Sequence, residues 1–154
     1  MRARIVSLLL GLALAAVPMS SVFADTGGGG SADLGLEAIT INGGNVAPKT
    51  GFVTLNGTIT CNQDLTASVG VEATQVVGRF NTIRGFGWQE VTCSGTIATP
   101  GTARFSLSFF ADQGKFAPGN VRISAYADTF VCGEFECVGD FATFGPATLR
   151  LFGR

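Results

Sequence analysis

Histidine is absent from this 154-residue chain and charge is scarce, with 14% of residues charged. Without an imidazole there is no histidine-based catalytic triad, histidine zinc site or imidazole proton shuttle. Ten Lys and Arg stand against eleven Asp and Glu, so the basic excess of a nucleic-acid-binding surface is missing. Tyrosine and tryptophan occur once each, proline five times, and beyond the N-terminal segment no stretch sets apolar residues at helical spacing. What the chain does have is 22 Gly, 13 Phe, 4 Cys and a hydrophobic share of 46%, too apolar for a wholly disordered polymer.

Arg2 and Arg4 precede the apolar run Ile5 to Val17, and Val22-Phe23-Ala24 closes the segment. A basic start, an apolar core and a small residue ending a Val-x-Ala triplet mark residues 1–24 as a secretory signal peptide, with cleavage expected after Ala24. The run is shorter than the roughly 20 apolar residues that span a bilayer, so no membrane span is expected in the mature chain. Residues 25–33, with glycine at Gly27 to Gly30, read as a flexible leader, and residues 34–154 as one folded domain. The expected destination is the cell exterior, either extracellular, on the cell surface or in a periplasm. In such a compartment disulfides are the default state of Cys61, Cys93, Cys132 and Cys137.

Within the domain the apolar period is two. Val53, Leu55, Ile59 and Cys61 alternate with Thr54, Asn56, Thr58 and Thr60, and similar alternation runs over 67–74, 103–109 and 121–128. Ile39 and Ile41 predict a short first strand, and Ala147, Leu149 and Leu151 a last one. Gly85 and Gly87 interrupt the pattern before Cys93 and suggest bulges or two short strands. Turn signals at Asn42-Gly43-Gly44-Asn45, Asn62-Gln63-Asp64, Gly78-Arg79, Thr99-Pro100-Gly101, Pro118-Gly119-Asn120 and Gly145-Pro146 separate the runs. Seven to eight antiparallel strands with one apolar face stack as two sheets or close into a barrel, and the all-β, antiparallel two-sheet sandwich is the favoured expectation.

Four cysteines allow three connectivities. Only Gly133-Glu134-Phe135-Glu136 separates Cys132 from Cys137, which suits a local staple, and Cys61 then pairs with Cys93. Neither spacing is the CxxC of a redox pair. The stretch Leu55-Asn56-Gly57-Thr58-Ile59-Thr60-Cys61, with Val69 to Gln75 and Thr92-Cys93-Ser94-Gly95, resembles immunoglobulin-like β-sandwich domains of small, uncharacterised secreted bacterial proteins. The resemblance covers roughly residues 50–130 and implies an immunoglobulin-like sandwich after the signal peptide. The short Cys132 to Cys137 loop also resembles that of neocarzinostatin-like chromophore carriers, which are secreted seven-stranded sandwiches. Tyr126 lies six residues before Cys132, not two, so the tyrosine-corner signature of true immunoglobulin domains is missing.

Candidate chemistry is sparse. A Ser-Lys nucleophile would have to use Lys49 or Lys115, both beside turn residues and in no motif. Glu72 and Glu90 could pair as glycosidase carboxylates, but acids scattered on the wet face of a sheet explain them better. Glu134, Glu136 and Asp140, with Asp128 upstream, fit no calcium loop pattern, so no metal and no cofactor is expected. Aromatics are the informative remainder. Large rings usually fill cores, and that is the first expectation for Trp88 and for Phe130, Phe135, Phe141 and Phe144. The alternative is a contact patch of Arg84, Phe86 and Trp88, presented at one end of the sandwich. The functional expectation is accordingly a secreted, non-catalytic binding module that engages a glycan, a small apolar ligand or a protein, itself included. The alternative is a structural subunit of a surface layer or filament, assembled through its leader or its sheet edges.

Overall fold

The computed structural model describes residues 34–79 and 81–153. The signal peptide and leader expected over residues 1–33 lie outside the described residues. Strands dominate the remainder: β1 Leu36–Ala47, β2 Phe52–Cys61, β3 Leu65–Val77, β4 Asn81–Cys93, β5 Gly101–Phe109, β6 Gly119–Cys132 and β7 Cys137–Gly153. Among the described residues there is no helix, and so none long and apolar enough to cross a membrane.

All seven strands belong to one hydrogen-bonded sheet in the order β4-β3-β6-β7-β1-β2-β5, which curls into a half-barrel. Two wings make up this sheet, β4-β3-β6-β7 and β1-β2-β5, and the seam between them is the pairing of β7 with β1. That pair is parallel, a correction to the fully antiparallel expectation, and it is short: Gly44, Asn45 and Val46 against Leu151, Phe152 and Gly153. A parallel pair cannot be closed by a hairpin, and here the whole intervening chain serves as its connection.

Three local expectations also change. Asn42 to Asn45 is not a turn, because β1 runs straight through it with a register shift between Ile41 and Gly43. At Gly44 a side chain would collide with the methyls of Leu55 and Leu151, so the glycine serves the close approach of β1 to both neighbours. Gly145-Pro146 lies within β7. Nor is β4 broken, since its ladder with β3 is continuous from Val77 opposite Asn81 to Leu65 opposite Cys93. Gly85 and Gly87 point inward, and a Cβ there would stand 2.9 Å from the ring atoms of Phe116 and Phe109 respectively. They are the hollows that receive rings from the opposite wing.

Those rings complete the core. Inward residues of β5 (Phe105, Leu107, Phe109), β2 (Val53, Leu55, Ile59), β3 (Val69, Val71) and β6 (Val121, Ile123) are all buried, and Phe116 packs edge-on against Phe109 with centroids 5.9 Å apart. Each fully buried aliphatic or aromatic side chain contributes roughly 1.5–3 kcal/mol relative to exposure. Gln75, buried at 3% exposure, accepts from the Ala117 amide at 2.9 Å and donates to the carbonyls of Ala117 at 2.8 Å and Asn120 at 3.2 Å. It thereby fixes the loop that carries Phe116, and every polar atom it buries is satisfied.

Two disulfides are present, Cys61–Cys93 and Cys132–Cys137, the pairs expected from spacing. Cys61 and Cys93 are both buried and join the end of β2 to the end of β4, one wing to the other. Cys132–Cys137 closes the β6–β7 hairpin at an exposed tip.

Candidate functional site

Strict alternation along β4 puts Arg84, Phe86, Trp88, Glu90 and Thr92 on the outward face, between inward Gly85, Gly87 and Val91. Trp88 is 65% exposed, so the core-filling expectation fails for it. It fails also for Phe130, Phe135 and Phe141, all exposed, whereas Phe144 is half-buried against the core. The physical reason is parity. The inward positions that face the opposite wing's rings are glycines, and the large residues take the intervening outward positions. The site also differs in place from the expectation, since Arg84, Phe86 and Trp88 lie in mid-strand on a sheet face and not on loops at one end.

Register carries this row of residues across the four-strand wing. Through β3, Arg84 aligns with Thr74 and Arg122, Phe86 with Glu72 and Ser124, Trp88 with Gly70 and Tyr126, and Glu90 with Ser68 and Asp128. On β7, Thr148 continues the arginine row, Thr143 the tyrosine row and Phe141 the Asp128 row. Both β4 and β6 run antiparallel to β3, so they point the same way and show the same outward order: arginine, a middle pair containing the rings, then an acid.

Gly70 sets the arrangement of the rings. A Cβ at this position would overlap the Tyr126 ring, which lies over β3 toward β4 and stacks on Phe86 with centroids 6.5 Å apart and planes 16° from parallel. A small residue under a ring lets it lie down on the sheet and present apolar surface outward. Two shallow hollows adjoin the stack. One of about 410 Å³ is bounded by Phe86, Tyr126, Thr143 and Phe144, and one of about 320 Å³ by Arg84, Thr74, Arg122 and Pro146, with Glu72 and Ser124 common to both. The register shift between Ile123 and Ala125 lies beside this floor.

Electrostatically the face is polarised. Arg84 and Arg122 lie at one end and Glu90 and Asp128 at the other, with the rings and Glu72 between, Glu72 lining the same hollow as the two arginines. Among the described residues no ion pair engages any of the five. Burial raises the Asp128 carboxyl above its ordinary value. Tyr126, Gly70, Arg122 and Asp128 are the contributors that sequence reasoning missed. Their signal was the outward parity of β6, legible only once β6 was known to lie two strands from β4.

The other candidate chemistries do not gather. Glu72 and Glu90 sit on separate strands and in separate rows of the same face. Lys115 donates to the Lys49 carbonyl at 3.5 Å, and among the described residues neither lysine side chain meets a serine or threonine hydroxyl. Asp140 accepts from the Leu36 amide at 3.0 Å and so anchors the start of β1. Among the described residues no group of three or more His, Cys, Asp or Glu is placed to hold a metal ion. In comparisons with known proteins, no family model matches this chain, and no curated protein and no solved structure matches it.

Proposed function

We propose that this chain is an exported, non-catalytic binding module of the cell exterior, with the outward face of β4-β3-β6-β7 as its contact surface and Arg84, Phe86 and Trp88 as part of it. The observation that carries this reading is the cluster of exposed rings on one sheet face, Phe86, Trp88 and Tyr126 around Gly70 with Phe130 and Phe141 alongside. Contiguous exposed aromatic surface of this kind marks interaction sites, and it suits the face of a sugar ring, an apolar ligand or a protein. Two disulfides accord with an oxidising compartment. The fold reading is an immunoglobulin-like sandwich. Its support is the division of the strands into wings of three and four, joined by a parallel seam only three residue pairs long and pinned across by Cys61–Cys93.

Non-catalysis rests on the absence of histidine and on the dispersed carboxylates and lysines, none of which, among the described residues, is set against another group in acid–base or nucleophile–base geometry. Since Trp88 is the chain's only tryptophan, its fluorescence reports this face directly. Titration with soluble glycans, apolar probes and extracellular proteins is expected to shift or quench that emission for a true partner, and Trp88→Ala to weaken the same binding. Emission unmoved across all three classes and on dilution of the protein itself, or turnover in a hydrolase screen lost with Glu72→Gln or Glu90→Gln, overturns the proposal.

One observation favours the alternative of a structural subunit. The sheet has two end strands, β4 and β5, each laddered to one neighbour alone, β4 to β3 and β5 to β2. Such an edge is a template for strand addition. Open-ended, concentration-dependent growth in light scattering would favour this subunit over the module.

A further inference from the structure

The contact face has a symmetry of its own. On β4 the outward order is Arg84, Phe86, Trp88, Glu90, and on β6 it is Arg122, Ser124, Tyr126, Asp128, with the two strands parallel to each other and aligned row by row through β3. Consider a two-fold axis lying in the plane of the face, perpendicular to the strands and midway between the Phe86 and Trp88 rows. It folds a second copy onto the first so that the first row meets the fourth and the second meets the third. Arg84 then faces Glu90 of the partner subunit, Arg122 faces Asp128 of the partner subunit, and Phe86 faces Trp88 of the partner subunit. Glu72 comes over Gly70 of the partner subunit, where the missing side chain leaves room. Both strands satisfy the operation at once, and each opposed pair occurs twice, as an isologous interface requires.

We infer that the occupant of this face is a second copy of this chain, docked face to face as a closed two-fold dimer. The inference rests on the binding-face reading above and names its partner. Three observations support a second copy over a ligand. The charges at the two ends are opposite in sign and none of the four has an ion-pair partner among the described residues. A small ligand in the hollows between Arg84 and Arg122 would leave the acidic end of the same face unanswered. And area suffices: four strands about 4.8 Å apart and the four aligned rows about 6.7 Å apart give a face on the order of 500 Å² per copy, about 1,000 Å² for the pair, the lower bound for a specific interface. Sheet-on-sheet packing tolerates the twist of both faces at an angle of about 30°, within reach of the long arginine side chains.

The test is a charge swap read by sedimentation velocity on protein purified from an exporting host. Wild type is expected to sediment as a dimer at tens of micromolar and low salt, and to dissociate toward monomer as salt is raised. Arg122→Asp sets two acids opposite each other, and Asp128→Arg two arginines, so each variant alone is expected to lose at least about tenfold in self-affinity. Mixed one to one, the two variants restore both opposed pairs and are expected to form a heterodimer. Retained β-sheet circular dichroism and absence of free thiols check folding, and if either variant fails to fold, Arg84→Asp with Glu90→Arg makes the same test on β4. A wild type that is monomeric at several hundred micromolar and low salt overturns the inference, as does a mixture of folded variants that does not assemble. If the wild type is monomeric while polygalacturonate, an acidic sugar polymer, shifts Trp88 emission, the second copy is excluded as occupant and the binding face itself stands.

Discussion

On the three-strand wing the outward middle is mostly small and hydroxylic, with Asn56 and Arg104 among the hydroxyls and a Phe52–Phe110 pair at one end. Hydroxyls there answer one another: Thr40 Oγ1 lies 2.6 Å from Thr58 Oγ1, and Thr54 Oγ1 lies 2.9 Å from Ser108 Oγ. On the four-strand wing the outward residues are rings flanked by charges that no ion pair engages among the described residues. Both faces arise from the same period of two, so the difference lies in which residues take the outward parity. Hydroxyls that pair across strands, and are otherwise wetted, have nothing to gain from a partner. Rings held flat do, because apolar surface left in water is stabilised when something covers it, and charges without an ion-pair partner gain when opposite charges are brought against them.

The largest expected effect comes from cutting the link between the two wings. Replacing Cys61 and Cys93 with alanine is expected to cost about 3–4 kcal/mol, the chain-entropy value for a loop of this length, and to destabilise both faces together. Denaturant unfolding checks it, and removal of Cys132–Cys137, which closes a far shorter loop, should cost less. Next comes Trp88→Ala, expected to change stability by no more than about 0.5 kcal/mol, as for an exposed position, while weakening association by tenfold or more. Loss of folding in that variant would instead make the ring part of the core. Gly70→Val is expected to drive the Tyr126 ring off β3, costing about 1 kcal/mol because an exposed ring can move aside, and to reduce association as much as Trp88→Ala does.

Smaller still is the effect of Asp128. Its carboxyl is raised by burial, so the folded state holds that proton more tightly than the unfolded chain does. Its contribution is therefore most favourable below the ordinary aspartate range and is lost as pH rises through the raised folded value. Asp128→Asn should raise the monomer's Tm slightly at pH 7, and the gain should vanish below about pH 3.8, the unshifted value. Thr58→Val on the opposite wing, which removes one hydroxyl pair on a face with no partner, is expected to stay within about 0.5 kcal/mol of wild type and leave association unchanged.

Much of this fold was legible from alternation alone. The strands around Leu55, Val69, Leu107 and Ile123 lie where their period of two put them, and the disulfide pairs follow spacing. Glycine was the source of most errors. Gly43 and Gly44 looked like a turn, and Gly85 and Gly87 looked like bulges, because a local window cannot tell a glycine that bends the chain from one that makes room for Leu151 or Phe109 across the core. Similarly, Arg84, Phe86 and Trp88 could be singled out on β4, but their alignment with Arg122, Tyr126 and Asp128 depends on β3 pairing with both strands, a relation between distant segments. Parity along β4 was readable as well, and had inward glycine been recognised, Trp88 would have been placed outside.

The three-residue seam between β1 and β7 sets the order in which this protein is able to fold. Its partners, such as Gly44 and Leu151, stand at nearly opposite ends of the domain, whereas the β1–β2, β3–β4 and β6–β7 ladders each close a short connection. Loop closure over so long a stretch carries the larger entropy cost, so local hairpins are expected to form first and the seam last. Until the final strand is in place β1 is paired on its β2 side alone, and Gly44, Asn45 and Val46 gain their second neighbour last.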